Sequence, residues 1–440
     1  MSNSIVSIVK YEEPLESVRK AIELAKGFEH LKPDMKVFIK PNIVYWNRHC
    51  IFPMWEVLTT SRVVEDVVTL LKEKGVNDIT VGEGIVTENP KDKETPADAF
   101  EKLGYNALIK KHGIKVYNTF DRPFEKINLT EDLTVKMNAD MLNSDFLIDL
   151  PALKTHAQCV VSLGIKNLKG LISIPSRKKF HSADPERDLD YNVAQLANKI
   201  PPSLTILDGI YTLERGPAMD GKAHRSNILV ASTDILSADL VGSNLLGIDP
   251  IAVPHLVIAA KSRNRKTDLS DIEIIGEKIE DLASPHEWDY VYAGNDDMPL
   301  PYQKAGITGI KYHKYDKSMC TYCSALNGVL LVAIKSAFKG EPFDNVEVLT
   351  GKCLEPTAGM NKTILVGQCQ INKNKDNENI KELITIKGCP PEVEEIQGAL
   401  RQAGIRAPSY IFKNLDKAPM IFMQKYKDKP EFEDHFFQVK

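Results

Sequence analysis

The 440-residue chain has no window of about 18 uninterrupted apolar residues, the length a membrane span needs. Its most apolar stretch, Ala325 to Phe338, is short and carries Lys335. Met1 to Lys10 contains no cationic segment leading into an apolar run, so neither export nor membrane insertion is expected and a cytoplasmic location is. An excess of one charge is missing too. Fifty-six Lys and Arg against 60 Asp and Glu leave a net charge of -4, which excludes general attraction to nucleic acid or to anionic membranes and makes any anion site a local one. Internal repeats and low-complexity tracts are absent. No P-loop, HExxH, GxSxG or CxxxCxxC pattern occurs, and Gly82-Glu83-Gly84 lacks the third glycine of a dinucleotide fingerprint, so no nucleotide cofactor is expected.

What remains is an ordinary globular composition, 43% hydrophobic and 26% charged, in a chain long enough for two or three folded units. Over the first 150 residues short β-branched runs (Ile5–Val9, Lys36–Lys40, Asp78–Val81, Ile114–Tyr117, Asp145–Leu150) alternate with amphipathic patterns at Leu15–Ala25, Ser61–Lys74 and Pro96–Lys111. The alternation resumes at Leu204–Leu207, Asn227–Ala231, Leu236–Leu246 and Asp271–Ile275. Strand-helix alternation of this kind predicts an α/β fold with a mainly parallel sheet covered by helices. Gly294 to Tyr302 is polar and proline-bearing and reads as a linker. Beyond it a second alternation (helix 325–339, strands 346–350, 363–366 and 383–386, helix 391–403) predicts a smaller C-terminal α/β domain. The expected division is therefore 1–300 and 301–440.

Seven cysteines are an odd number, and five of them (Cys320, Cys323, Cys353, Cys369, Cys389) lie in that second domain, which favours metal binding over a disulfide framework. Cys320-Thr-Tyr-Cys323 opens a helix, where unpaired N–H groups stabilise thiolate. The other three follow strands and glycines, as Gly351-Lys-Cys353, Gly367-Gln-Cys369 and Gly388-Cys389, and parallel strands bring such ends to one edge. Cys389 precedes Pro390, as a ligand cysteine precedes proline in bacterial ferredoxins. Four thiolates can hold a [4Fe-4S] cluster or a zinc ion, and buried cysteines without a ligand are a third reading. One CxxC plus dispersed single cysteines fits the cluster better than a zinc ribbon. Cys320, Cys323, Cys369 and Cys389 are the expected ligands, with Cys353 the spare.

The first domain gathers polar residues at its own strand ends: Lys40-Pro41-Asn42, Glu83, Lys154-Thr155-His156, Lys166-Asn167-Leu168-Lys169, His181 and Asp208. A parallel sheet would bring these turns to one rim. There Lys40, Asn42, Glu83, Lys169 and Asp208 would bind a small anionic substrate, and Lys154, His156, Lys166 and His181 would carry the chemistry. Each lysine taken alone is most simply a solvated surface residue, and each histidine a satisfied structural one. Trp46, Arg48, His49, Cys50 and Trp55 share a loop after Asn42, expected as an apolar cover over the sheet edge, with a substrate lid as the alternative.

The pieces Ile39-Lys40-Pro41-Asn42, Leu150 to His156, Gly164 to Ile172, His181 and Leu207 to Ile210 resemble, in order, the domain of unknown function 362 family of iron-sulfur proteins. Many members carry four closely spaced cysteines, whereas here five are dispersed. The spacing of His156, Lys166 and His181 is also similar to that of the nickel-pincer lactate racemases, where a lysine tethers the pincer nucleotide and a histidine ligates the metal.

The resulting expectation is a [4Fe-4S] enzyme acting on a small anionic substrate, by redox or lyase chemistry. It would take reducing equivalents from an electron-donor protein and need neither nucleic acid nor membrane. The alternatives are a racemase-like metal-cofactor isomerase and a non-enzymatic iron-sulfur electron-transfer protein.

Overall fold

The computed structural model describes residues 4–50, 58–87, 91–216 and 221–439. The chain divides into two compact units. The first comprises Met1–Ser176, Asp190–Asp289 and Pro419–Lys440, the second Arg177–Leu189 and Tyr290–Ala418. Two stretches thus depart from a single division near residue 300.

In the first unit, strands Lys36–Pro41, Asp78–Glu83, Lys115–Asn118, Phe146–Leu150 and the start of Ser203–Glu214 run parallel. Phe146–Leu150 is buried throughout and Lys36–Pro41 nearly so, as strands covered on both faces must be. Helix Ser61–Glu73 is one of the covers. The Thr60 side chain caps it by accepting the Val63 N–H, and Val63, Val64, Val67, Val68 and Leu71 are buried. The far side of the sheet is not parallel: Ser203–Glu214 pairs antiparallel with Lys222–Ser232, which pairs antiparallel with Ser4–Lys10.

Those two strands are much longer than the expected 204–207 and 227–231. Their extension past Gly209 is buried by the C-terminal tail, where Tyr211 packs on Phe436 and Phe437 with ring centroids 6.0 and 5.9 Å away. The Tyr426 hydroxyl also accepts the Ala223 N–H at 2.8 Å. Apolar burial of this size outweighs chain proximity, and it draws residues 419–440 into the first unit. The expected helix 96–111 is two helices, Glu94–Lys102 and Tyr105–His112. They break at Gly104, whose φ of +75° leaves the helical region and whose missing Cβ makes room for Val439.

In the second unit a four-stranded parallel sheet runs Ile310–Tyr312, Val346–Leu349, Lys362–Val366, Glu382–Ile386. Helices Thr321–Ala337, Gly367–Asn374 and Val393–Gln402 accompany it, and Leu330, Ile334, Val348, Ile364, Ile386, Ile396 and Leu400 form its core. The expected linker is part of this unit. Tyr292–Ala293 and Met298–Pro299 pair as a short ladder, and Tyr302 is buried with its hydroxyl donating to the Leu331 carbonyl at 2.8 Å. α/β architecture with helix-covered, mostly parallel sheets therefore describes both units. No described helix is long and apolar enough to cross a membrane.

Candidate functional site

The parallel register of the first unit places the last residues of neighbouring strands side by side. Lys40 lies opposite Asp149, and Thr205 opposite Asp149 from the other flank. Lys40 is fully buried and donates to Glu83 at 2.9 Å, to Asn167 Oδ1 at 3.0 Å and to the Pro41 carbonyl at 2.8 Å. Asn167 Oδ1 also accepts from Asn42 Nδ2 at 2.9 Å, and its Nδ2 donates to Asp149 at 2.8 Å. Lys154, equally buried, donates to Asn42 Oδ1. Lys40, Asn42, Glu83 and Lys154 thus converge, and Asn167 is the residue that joins them.

This cluster lies inside the protein, with Lys40 0% and Glu83 1% exposed. Glu83 also accepts the backbone N–H groups of Ile43 and Gly84, at 2.9 and 2.6 Å. Burial holds the Lys154 amine well below its ordinary value, and the charge of Lys166 adds to the effect. Burial likewise drives Asp149 well above the usual carboxylate range, with the Lys40 charge opposing it, and Asp149 Oδ2 has no hydrogen-bond partner among the described residues. Gly170 is required here. A Cβ on it would stand 2.4 Å from Glu83 Oε1 and 2.6 Å from Lys40 Cε.

The other expected site residues are placed differently. Asp208 binds the Thr60 N–H and hydroxyl at 2.7 and 2.8 Å, which anchors the start of helix Ser61–Glu73. His156 Nδ1 accepts the Gln158 N–H at 3.0 Å; Lys169 is buried, and Lys166 half-buried. His181 belongs to the second unit, where its Nδ1 donates to the Lys317 carbonyl at 2.9 Å. In the loop after Asn42, Trp46 and Cys50 are buried in the core as an apolar cover would be, while Trp55 lies outside the described residues.

Sequence reasoning overlooks Asn167, Asp149, Gly170 and Asp239 as site residues. Asp239 accepts the N–H groups of Gly164 and Ile165, at 2.7 and 2.9 Å, and so fixes the turn that presents Asn167. For Asn167 and Gly170 the signal is their place among the leucines, isoleucines and lysines of Gly164–Ile172.

In the second unit the cysteines assemble from separate elements. Cys320 caps helix Thr321–Ala337 and Cys323 lies in its first turn. A Cβ on Gly367 would be 3.3 Å from Cys323 Sγ, and the Gln368 N–H donates to the Gly388 carbonyl at 3.2 Å, so the starts of the Cys369 and Cys389 segments adjoin the CxxC. Gly367, at φ +79°, leaves space that any side chain would take from that sulfur. Lys178 Nζ lies 3.2 Å from Cys389 Sγ.

The thiols act on one another. The Cys323 side chain donating to Cys320, helped by the N–H groups of Cys323 and Tyr322 and by Lys178, holds the Cys320 thiol down at about 5 against burial. Cys323 is pushed up, first by that same bond and then by burial and the charges of Cys320, Cys369 and Cys389. Burial raises Cys369, with Lys352 opposing and Cys320 and Cys389 adding. Cys353 is not among the largest influences on any of them. It is exposed, and lines an open cavity of about 710 Å³ with Ala183, Lys352, Cys369, Asn372 and Lys373. Among the described residues no three His, Cys, Asp or Glu converge closely enough to hold a single metal ion.

Residues 37–244, which carry the buried lysine cluster, match the model of the family described as Domain of unknown function (DUF362). The chain is similar to the thylakoid-associated protein of Synechocystis sp., at 29% identity over 262 residues, which is 57% of this chain and 74% of that protein. Among solved structures it is similar to the lactate racemase apoprotein from Thermoanaerobacterium thermosaccharolyticum. There the identity is 15% and the TM-score 0.35, over 56% of this chain and 58% of that one, so less than two thirds of the racemase is spanned.

Proposed function

We propose that the second unit holds one [4Fe-4S] cluster through Cys320, Cys323, Cys369 and Cys389, and that the protein is an iron-sulfur enzyme acting on a small anionic substrate. The observation that carries this reading is the set of four cysteines brought from three separate segments to the start of helix Thr321–Ala337, where a Cβ on Gly367 would meet Cys323 Sγ at 3.3 Å and the Gln368 N–H donates to the Gly388 carbonyl. The donor set fits the group. Each iron of a cubane takes one thiolate, so four cysteines spaced around a cluster need not converge on one point as single-ion ligands must. Cationic Lys178 and Lys352 beside them offset the negative charge of a thiolate-ligated cluster. Such a cluster supplies one-electron transfer or Lewis acidity, and reducing equivalents would come from an electron-donor protein.

On the protein's side, Lys166 is the half-buried cation of the first unit's cluster. It would meet an anion while Lys40, Asn42, Glu83, Asn167 and Lys154 hold the frame behind it. One specific observation favours the alternative of a non-enzymatic electron-transfer protein: Lys40 and Lys154, expected to face substrate, are buried and hydrogen-bonded.

Anaerobic purification with metal and sulfide analysis tests the cluster. About four iron and four sulfide per chain are expected; stoichiometric zinc without sulfide would end the reading. Titration of the loaded protein with a panel of small carboxylates and phosphates separates the two functions. Binding that is lost in Lys166→Ala supports the enzyme, and no binding supports the electron carrier. A cytoplasmic location is part of the proposal, and fractionation against membranes tests it, since the Synechocystis relative is named for its association with thylakoids.

A further inference from the structure

Helix Ile174–Phe180 ends in Arg177, Lys178 and Lys179, a basic run that the lysine cluster of the first unit does not use. The run begins a segment, Arg177–Leu189, that packs within the second unit although it falls inside the family-matched region. Three contacts pin it there. His181 Nδ1 donates to the Lys317 carbonyl at 2.9 Å, the Lys352 ammonium donates to the His181 carbonyl, and Lys317 pairs with Asp188 at 3.3 Å. The pinned segment carries Lys178 onto the thiols. Its ammonium stands 3.2 Å from Cys389 Sγ and 4.8 Å from the centre of the Tyr322 ring. Tyr322 lies between Cys320 and Cys323 in sequence, so one side chain reaches both the CxxC turn and the cysteine that follows the last strand.

We propose that Lys178 is a positioning residue for the cluster, donating a hydrogen bond to the Cys389 sulfur and thereby raising the cluster's reduction potential. The inference rests on the cluster reading above and adds a residue to it. Reduction adds an electron to an already negative centre. A cation and N–H donor at a ligand sulfur stabilise that added charge, and hydrogen bonds to sulfur together with local charge are what set such potentials. The Tyr322 face limits where the flexible lysine can go, since an ammonium over an aromatic ring is attracted to it.

The test is the midpoint potential of the anaerobically loaded full-length protein, followed by its visible and electron paramagnetic resonance spectra. Wild type, Lys178→Met and Lys178→Arg are compared. Lys178→Met should keep its iron and sulfide yet be harder to reduce, by a tenfold or larger change in the one-electron equilibrium, about 59 mV. Lys178→Arg, which keeps charge and donor, should stay near wild type. Cluster loss in Lys178→Met rescued by Lys178→Arg supports the same contact. An unchanged potential in an intact Lys178→Met cluster overturns this inference and leaves the cluster reading standing. Cluster loss in both variants does the same, because the lysine would then serve folding alone. Wild-type protein without iron and sulfide overturns the cluster reading itself.

Discussion

The Lys40 ammonium lies 2.9 Å from the Glu83 carboxylate, and neither side chain reaches solvent. A sequence rule that sends lysine to the surface fails here because the partner comes from the adjacent strand end and Asn167 supplies a further acceptor. Removing one member of a buried pair leaves the other charged and unpaired, at a cost of about 3–5 kcal/mol. Lys40→Met and Glu83→Gln should each lower the unfolding free energy of the first unit, read from its urea transition, by that order, and the double variant should lose clearly less than their sum. Additive losses would mean that the two side chains do not depend on each other.

Gly170 closes over this pair. In Gly170→Ala the new methyl group must displace the Glu83 and Lys40 side chains, and overpacking of this kind costs about 1–3 kcal/mol. Thermal unfolding should show the loss, while Gly328→Ala, where a Cβ meets nothing within 4 Å, should not.

The cysteines are expected to separate into two classes. Cys320→Ser, Cys323→Ser, Cys369→Ser and Cys389→Ser should each lose most of the iron and sulfide bound by wild type, and Cys353→Ser should keep it. Iron and sulfide counts after anaerobic purification check this, and a cluster retained in Cys369→Ser but lost in Cys353→Ser would exchange the two assignments.

Asp239 gives a pH dependence of definite sign. Burial raises its carboxyl to about 7 against the two N–H groups it accepts. Between the unfolded value of about 4 and 7 the folded state then binds a proton that the unfolded state does not. This group's stabilisation is therefore complete below about 4 and is lost as pH rises to 7. The difference in urea midpoint between wild type and Asp239→Asn should shift toward the variant over that interval and be flat above it. A difference independent of pH would place the Asp239 carboxyl at an ordinary value.

Much of the site is legible in the sequence alone. Strand-helix alternation implies parallel strands, and the tendency of parallel strand ends to share an edge brings Lys40, Asn42, Glu83 and Lys154 together across more than a hundred residues. It also brings Cys369 and Cys389 toward the CxxC. Asn167 stays hidden because its role needs Lys40, Asn42 and Asp149, from the ends of two other strands, and periodicity carries no such information. His181 falls among the wrong neighbours for a similar reason: proximity in sequence to Lys166 says nothing about residue 177, where the chain enters the second unit. The contacts of Lys178 and of the aromatic tail are invisible to periodicity, because their partners lie far along the chain.

The return of residues 419–440 to the first unit has a consequence for synthesis. Domains generally fold as they emerge, N-terminal first. Here the second unit has all its strands once residue 386 is out, whereas Tyr211 and the strand Ser203–Glu214 wait for Phe432, Phe436 and Phe437. The earlier-made unit is thus the later one to finish. Until the tail leaves the ribosome, the antiparallel ladder of Ser203–Glu214 and Lys222–Ser232 stands with its aromatic face open, a surface that chaperones bind and that a stalled or prematurely terminated chain would expose.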